Sequence, residues 1–503
     1  MGKRFTGYDC IFVVLFIYLF ILQIQAIWPF TIDDMYISLR YARHWAAGDG
    51  LLWNLHAPTV EGYSNFSFVA LGAALIILKL NPVIVLKAVG IVGLFFTCLS
   101  TYLISRLWLD WRQSLLPCIG LLVYKGQIIW TASGLETAAY QALLCGTVFF
   151  IFKGLGYQFF PDNRGEPKPF FLVLSGLLLS LASMTRPEAP SLMALFFILI
   201  CWDKPNSGLK KHRKALAFFT LTIALIYLPY FFWRGLYYGH LFANPVYCKG
   251  ISSGSSFFLD VTYLKLIWPF ALLSLPACMW AKDKRHYFLW MPSLVYLTLL
   301  AASDPVVGFY NRLFLPAFVL LLPLAFQGIS QTLLSYLKQR DTLYCYSFYV
   351  VAFFIGFFFI PGMTLSEYHF FTQNPLAGEE LRGRVVQWLS HNVASGDWVV
   401  LADSGMIPYY SDLNFIDSYC LNNVTMAHYP EKKRYTLFCK KMWVEKPRVL
   451  ILTSLIEHGE VIYTPADRCL KRLINKQTHY KLAKIFSSKN PDSIYQYELF
   501  IHF

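Results

Sequence analysis

Two adjacent carboxylates, Asp33 and Asp34, follow directly on the first long apolar run of this chain, and Arg40 and Arg43 come within the next ten residues. A carboxylate at a water interface can take the proton of a hydroxyl nucleophile, and a positioned guanidinium can hold an anionic leaving group. Together these types at this spacing fit group transfer from a lipid phosphate. The plainer reading is that the two acids end an apolar helix and stay in water.

Other charged groups stand at the ends of apolar runs. Glu136 lies in "SGLETAAY" (133–140), Arg186 and Glu188 in "TRPEAP" (185–190), and Arg312 in "GFYNRLFLP" (308–316). Arg234, His240, Asn244 and Lys249 share an aromatic stretch, "WRGLYYGHLFANPVYCKG" (233–250). An arginine at the end of a span also arises by snorkelling toward lipid headgroups. What sets these apart is that all fall on one expected face of the membrane.

The elements that must position them follow from composition. Hydrophobic residues make up 56% of the 503 and charged residues only 14%, against about 25% charged in a soluble domain. Disorder, a collagen-like chain, a disulfide scaffold and a nucleic-acid-binding domain are poor fits. Charge-poor stretches lie at 10–32, 62–78, 88–105, 113–135, 137–152, 169–185, 189–202, 215–233, 266–281, 286–303, 313–337 and 342–366. Each approaches the roughly 17–25 residues that a spanning helix needs, while the alternation of a strand barrel is missing. The first run lacks a small-residue cleavage site and reads as an uncleaved helix.

Net charge is +14, of which about +12 belongs to residues before 362 and gathers in short loops. The basic loops 203–214, 282–286 and 338–341 are expected in the cytoplasm. That puts 234–264, 303–312 and everything after 366 outside. One conflict of parity remains near the start: with Lys3 and Arg4 inside, the alternation leaves one crossing too many before residue 106. Either 62–78 or 88–105 does not fully cross, or 106–112 lies outside. The expectation is a polytopic helical protein with 11 to 13 spans, odd in number. "MYISLRYARHWAAG" after the Asp pair reads as an amphipathic helix, ended by Gly48 and Gly50, that lies along the membrane surface.

Residues 367–503 change character. "DWVVLADSG" (397–405), "PRVLILTSL" (447–455) and "IYQYELFIHF" (494–503) read as strands, and 378–393 as a helix. This is a small α/β domain capping the membrane part (1–366) from outside, serving either as a lid or in substrate binding. Cys420, Cys439 and Cys469 fall within it, allowing at most one internal disulfide. No Cys/His spacing points to zinc.

The ordered segments "DDMYISLRYARHWAAGDGLLWN", "VEGYSNF", "SGLETA", "TRPE", "WRGLYYGHLFAN", "NRLFLP" and "DSGMIPYYSDLNFID" together resemble the GT-C glycosyltransferases of the mycobacterial terminal β-(1→2)-arabinofuranosyltransferase type, which include Legionella LphB-type membrane proteins. The resemblance implies a GT-C fold and an inverting transfer of sugar from a polyprenyl-phosphate donor to an envelope glycan or glycolipid, on the periplasmic face of a bacterial inner membrane. It makes Asp33 or Asp34 the base, with Asp33 favoured and Asp34 orienting the acceptor. Arg40, Arg43, Arg186 and Arg312 become candidates for the lipid phosphate, and Glu136, Glu188, His240 and Tyr63 for the sugars. No cofactor is required, although the Asp pair is compatible with Mg or Mn. A transporter or flippase of a lipid-linked sugar is the alternative; it would place charges at mid-depth in the spans.

Overall fold

The structure is a computed structural model and describes residues 7–55, 57–161, 164–205, 208–251, 261–301, 308–337, 341–476, 479–488 and 494–503. The basic start at Lys3 and Arg4, most of the loop 338–341 and residues 303–307 of the expected outer loop lie outside these.

Each apolar run of the sequence yields a helix. α1 (Gly7–Ile27) leads to α2 (Asp34–Ala47), α3 (Phe66–Ile77) and α4 (Pro82–Ser105), which the Asn81 side chain caps through the amides of Val83 and Ile84. α5 (Leu116–Val123) and α6 (Lys125–Ala132) form a pair bent by 68°. α7 (Thr137–Gly154), α8 (Pro169–Thr185), α9 (Ala189–Trp202) and α10 (Leu209–Tyr238) follow, then the single turn α11 (Asn244–Val246). α12 (Val261–Met279), α13 (Arg285–Leu300), α14 (Leu315–Leu337), α15 (Asp341–Phe359) and α16 (Leu365–Asn392) complete the series. By length and composition five helices among the described residues can cross a membrane, six if the bent pair counts as one span; four further apolar helices are shorter. Helices in lipid gain little from hydrophobicity between themselves and rely on close packing. At Gly93 of α4 a side chain would come within 2.6 Å of the Ala139 amide of α7, so glycine lets the two backbones meet.

The parity conflict has a structural answer in α3. Asn65, just before α3, bonds to Glu136, and Lys87, early in α4, donates to Phe30 O and Thr31 Oγ1 (2.9 and 3.1 Å). Both ends of the α3 segment therefore sit at the level of the Asp33 loop. Along its length α3 packs on α2, with Gly72 against Leu39 and Ala42. Its 12 residues span about 18 Å at 1.5 Å per residue, well short of a bilayer core of about 30 Å. The opposite end of α4 meets the basic loops: Arg285 donates to Leu107 O (3.0 Å), Lys284 to Trp202 O (2.9 Å), and Arg164 pairs with Asp203 (3.0 Å).

The C-terminal domain is a mixed sheet with α16 on one face and α19 and α20 on the other. β1 (Trp398–Leu401), α17 (Met406–Tyr409), β2 (Asn414–Asp417), α18 (Val424–Ala427) and α19 (Glu431–Glu445) precede β3 (Val449–Glu457), β4 (Glu460–Tyr463), α20 (Pro465–Ile474), β5 (Tyr480–Ser487) and β6 (Ile494–His502). The order is β2-β1-β3-β6-β5, parallel through β2, β1 and β3 and antiparallel through β6 and β5, with β4 paired to β3. Alternation sends Val399, Leu401, Val449, Ile451 and Leu499 toward α16 and the first loop. Val400, Leu450, Leu452 and Phe500 face α19 and α20. α16 begins against α1, where Tyr368 bonds Gln23 (3.0 Å) and Thr372 bonds Ala26 O (2.9 Å). It therefore runs from the membrane part into the domain across the expected boundary at 366/367.

α2 does not lie free on a membrane surface. It is buried between α3 and the C-terminal domain, with Leu39, Tyr41 and Ala42 fully enclosed. Gly48, at φ 93°, ends it by turning its amide back to His44 O and Trp45 O. Two disulfides lie at the end carrying the C-terminal domain: Cys439–Cys469 within the domain, as one internal bridge allowed, and Cys248–Cys420, which ties the turn after α11 to the domain.

Candidate active site

The chain leaving α1 is fixed by Lys87 and by the Ile32 amide donating to Ser133 O (3.2 Å). Asp33 and Asp34 then occupy the first turn of α2 and point apart. The Asp33 carboxylate turns to the C-terminal domain, accepting the Met406 amide (3.0 Å) and pairing with Arg382 (Nε–Oδ1 3.1 Å). Gly405 is required here, because a methyl group on it would overlap that carboxylate. Burial pushes Asp33 up to about 6 against the opposing pull of Arg382, with the Asp403 charge adding to the rise.

Asp34 instead lines a cavity of about 540 Å³ under the domain, shared by Tyr63, Glu136, Arg186, Glu188, Lys249 and Arg312. Glu136, at the head of α7, organises the far wall. Its Oε1 accepts Arg186 (2.9 Å) and Arg312 (3.1 Å), and its Oε2 accepts the Asn65 amide (3.0 Å), itself oriented by the Ser38 hydroxyl (2.8 Å). Burial works to raise the Glu136 carboxyl, but Arg312 and Arg186 outweigh it and hold it down at about 2. Arg186 also forks onto both oxygens of Glu188. Arg312 bonds Thr137 Oγ1 (3.2 Å) and lies over Trp130 at 4.8 Å. Two guanidinium groups are thus held in place by Glu136 and Glu188, on the same cavity as the Asp34 carboxylate.

Of the residues expected at the site, Asp34, Tyr63, Glu136, Arg186, Glu188 and Arg312 come together. Four do not. Asp33 is behind the wall, as described. Arg40 is buried and donates to Trp53 O, Pro408 O, Ser411 O and Leu413 O, and to the Asn54 side chain, so its guanidinium clamps the first loop to the domain and does not line the cavity. Arg43 donates to Tyr409 O (2.6 Å) and Ser411 O and pairs with Asp412. His240 stacks on His428 (5.0 Å) away from the cavity. The domain's carbonyls claim both arginines, through contacts about 370 residues apart in the chain.

Residues 370–500 match a family model described as a domain of unknown function, DUF8728. No curated protein matches the sequence. Solved structures do. ArnT from Cupriavidus metallidurans bound to undecaprenyl phosphate superposes with TM-score 0.60 at 11% identity, over 97% of this chain and 98% of that one. The apo Archaeoglobus fulgidus oligosaccharyltransferase gives 0.61 at 11%, covering 95% of this chain and 80% of its own. The arabinofuranosyltransferase AftD from Mycobacteria gives 0.50 at 10%, over 97% of this chain and 41% of that one. The chain has the GT-C fold.

Within the GT-C frame, further residues support the site. Asn65 and Ser38 orient Glu136, and Arg382, Asp403, Tyr495 and Tyr497 surround Asp33. Asn65 sits in "VEGYSNF", two residues after Tyr63. Nothing in the sequence marks Arg382, one charge among many on an amphipathic helix. Among the described residues no three His, Cys, Asp or Glu side chains converge, and the Asp33, Glu136 and Glu188 carboxylates pair with guanidinium groups.

Proposed function

We propose that this protein is an inverting glycosyltransferase that moves a sugar from a polyprenyl-phosphate donor to an envelope glycan or glycolipid acceptor, with Asp34 as general base. The observation that carries the reading is the placement of Asp34 on one cavity with Arg186 and Arg312. The acceptor hydroxyl gives its proton to Asp34 and attacks the anomeric carbon while the carbon–oxygen bond to the phosphate breaks, through an oxocarbenium-like state. Arg186 and Arg312 offset the charge that the departing polyprenyl phosphate gains. Preorganised, desolvated donors of this kind need no reorganisation during reaction. Glu136 and Glu188 keep them in place, and Tyr63, whose hydroxyl bonds Tyr238 (3.0 Å), forms an aromatic wall for the sugar. The undecaprenyl phosphate bound by the ArnT structure supports this donor class. Arabinofuranose stays one candidate among the transferred sugars.

The cavity lies at the end carrying the C-terminal domain, whose Leu421 lines it. Both disulfides lie at that end, which supports an oxidising, periplasmic setting for the site in a bacterial inner membrane. A flippase would carry its ionisable groups halfway through the spans. Here Glu136 precedes α7, Arg186 follows α8 and Arg312 precedes α14, which favours catalysis at one face.

Mass spectrometry of envelope glycans from a deletion strain tests the assignment. Loss of one sugar, restored by the wild-type gene and not by Asp34→Asn, is expected; glycans unchanged by the deletion would overturn it.

A further inference from the structure

The Asp33 environment lies outside the cavity, yet it joins the membrane part to the C-terminal domain through three charged groups, Asp33, Arg382 and Asp403. Arg382, on α16, pairs with Asp33 (3.1 Å) and with Asp403 (3.2 Å), so one guanidinium serves two carboxylates. Asp403, in the loop after β1, also accepts the hydroxyls of Tyr495 (2.9 Å) and Tyr497 on β6. Met406, the first residue of α17, gives its amide to Asp33, and Gly405 closes on the same carboxylate. α16, β6 and the β1–α17 loop thus converge around one side chain, and the residues that do so, Arg382, Asp403, Gly405, Met406, Tyr495 and Tyr497, lie within 370–500.

Asp33 is bonded in sequence to Asp34, with Cα atoms about 3.8 Å apart. Both sit in the same first turn, so Asp33 cannot shift without carrying Asp34 across the cavity. A misplacement of about 1 Å at a reacting group can cost on the order of 10² in rate.

We propose that the C-terminal domain sets the position of the catalytic base, with Arg382, Asp403 and Tyr497 holding Asp33 as a positioning residue for Asp34. This rests on the reading of Asp34 as base. It gives the matched domain of unknown function a task in this chain: to lock the first turn of α2 into working geometry once docked. The lock depends on charge. Arg382, Asp403, Tyr495 and Tyr497 face Asp33 from the domain, and Asp34 and Tyr36 from α2 itself. When Asp33 takes a proton, it loses its ion pair with Arg382 and the turn loosens.

The test is a pH profile of transfer by the purified full chain in lipid nanodiscs, with total lipid extract of the source cells as donor and acceptor mixture. Wild type should lose kcat on an acid limb near the Asp33 value of about 6. Asp403→Asn removes a charge that raises Asp33, so the limb should move to lower pH. Arg382→Gln removes the charge that lowers it, so the limb should move to higher pH. Each shift should be on the order of one unit, with binding of undecaprenyl phosphate within twofold of wild type. Arg382→Lys should restore part of the lost rate. Should Arg382→Gln fold poorly, Asp33→Asn keeps an acceptor for the Met406 amide and should abolish the limb. Limbs that stay put in Asp403→Asn and Asp33→Asn would overturn the proposal. Asp34→Asn, run alongside, separates the two claims: full activity there refutes the base, whereas an inactive Asp34→Asn with unmoved limbs refutes the lock alone.

Discussion

At the scale of single residues, direction decides what spacing cannot. Asp33 and Asp34 are equivalent in composition, and only the fold shows that Asp34 faces the cavity while Asp33 faces Arg382. Glu136, Arg186, Glu188 and Arg312 were legible because a charge beside an apolar run needs a partner, and these four found each other. Arg40 and Arg43, singled out by their closeness in sequence to the Asp pair, belong elsewhere, because their partners are carbonyls of a distant domain. Two outcomes follow. Arg186→Lys keeps the charge but loses the planar fork, so affinity for undecaprenyl phosphate, measured by native mass spectrometry, should fall about tenfold or more. Unchanged affinity would leave Arg186 a purely structural partner of Glu136. Glu136→Gln leaves two buried guanidinium groups without their shared carboxylate, a loss on the order of 3–5 kcal/mol; the thermal midpoint of unfolding should drop by several degrees. Because arginine holds Glu136 down at about 2, its stabilisation is present above pH 4.5 and is lost only as the pH falls through about 2. Stability between pH 5 and 8 should therefore not vary on its account.

At the scale of elements, the apolar runs predicted the helices well, since hydropathy and length are local properties. What they could not give was which helices cross. α3 reads as a span by composition, and its return to the level of Asp33 depends on the Lys87 contacts with Phe30 and Thr31. Likewise β1, β3 and β6 of the C-terminal domain were legible in the sequence, while β2, β4, β5 and the Cys248–Cys420 bridge, 172 residues apart, were not. Cysteine labelling tests the placement of α3. Lys282→Cys should react with an impermeant reagent applied at the basic-loop side and Lys79→Cys should not; labelling of Lys79→Cys from that side would show that α3 crosses. A second outcome concerns the bridge. Reduction, or Cys248→Ser with Cys420→Ser, frees the turn that carries Lys249 into the cavity. Transfer should fall, while the helical far-ultraviolet signal is retained.

At the scale of the whole molecule, two parts meet over one loop. The membrane helices supply Glu136, Arg186 and Arg312 at their ends; the domain supplies the pocket that holds Asp33; α2 lies between, carrying Asp34. The polytopic architecture and the capping domain were legible in the sequence because each has its own composition. Their docking was not, because it is built from pairings across some 370 residues. The central claim is that Asp34 removes the acceptor's proton. Asparagine matches the shape of aspartate and takes no proton at neutral pH, so the decisive measurement is single-turnover sugar transfer by purified Asp34→Asn beside Asp33→Asn, with undecaprenyl phosphate binding measured on both. The account predicts that Asp34→Asn binds the lipid within twofold of wild type and transfers about 10²–10⁴ times more slowly, with Asp33→Asn slowed less. Transfer by Asp34→Asn at the wild-type rate would contradict it.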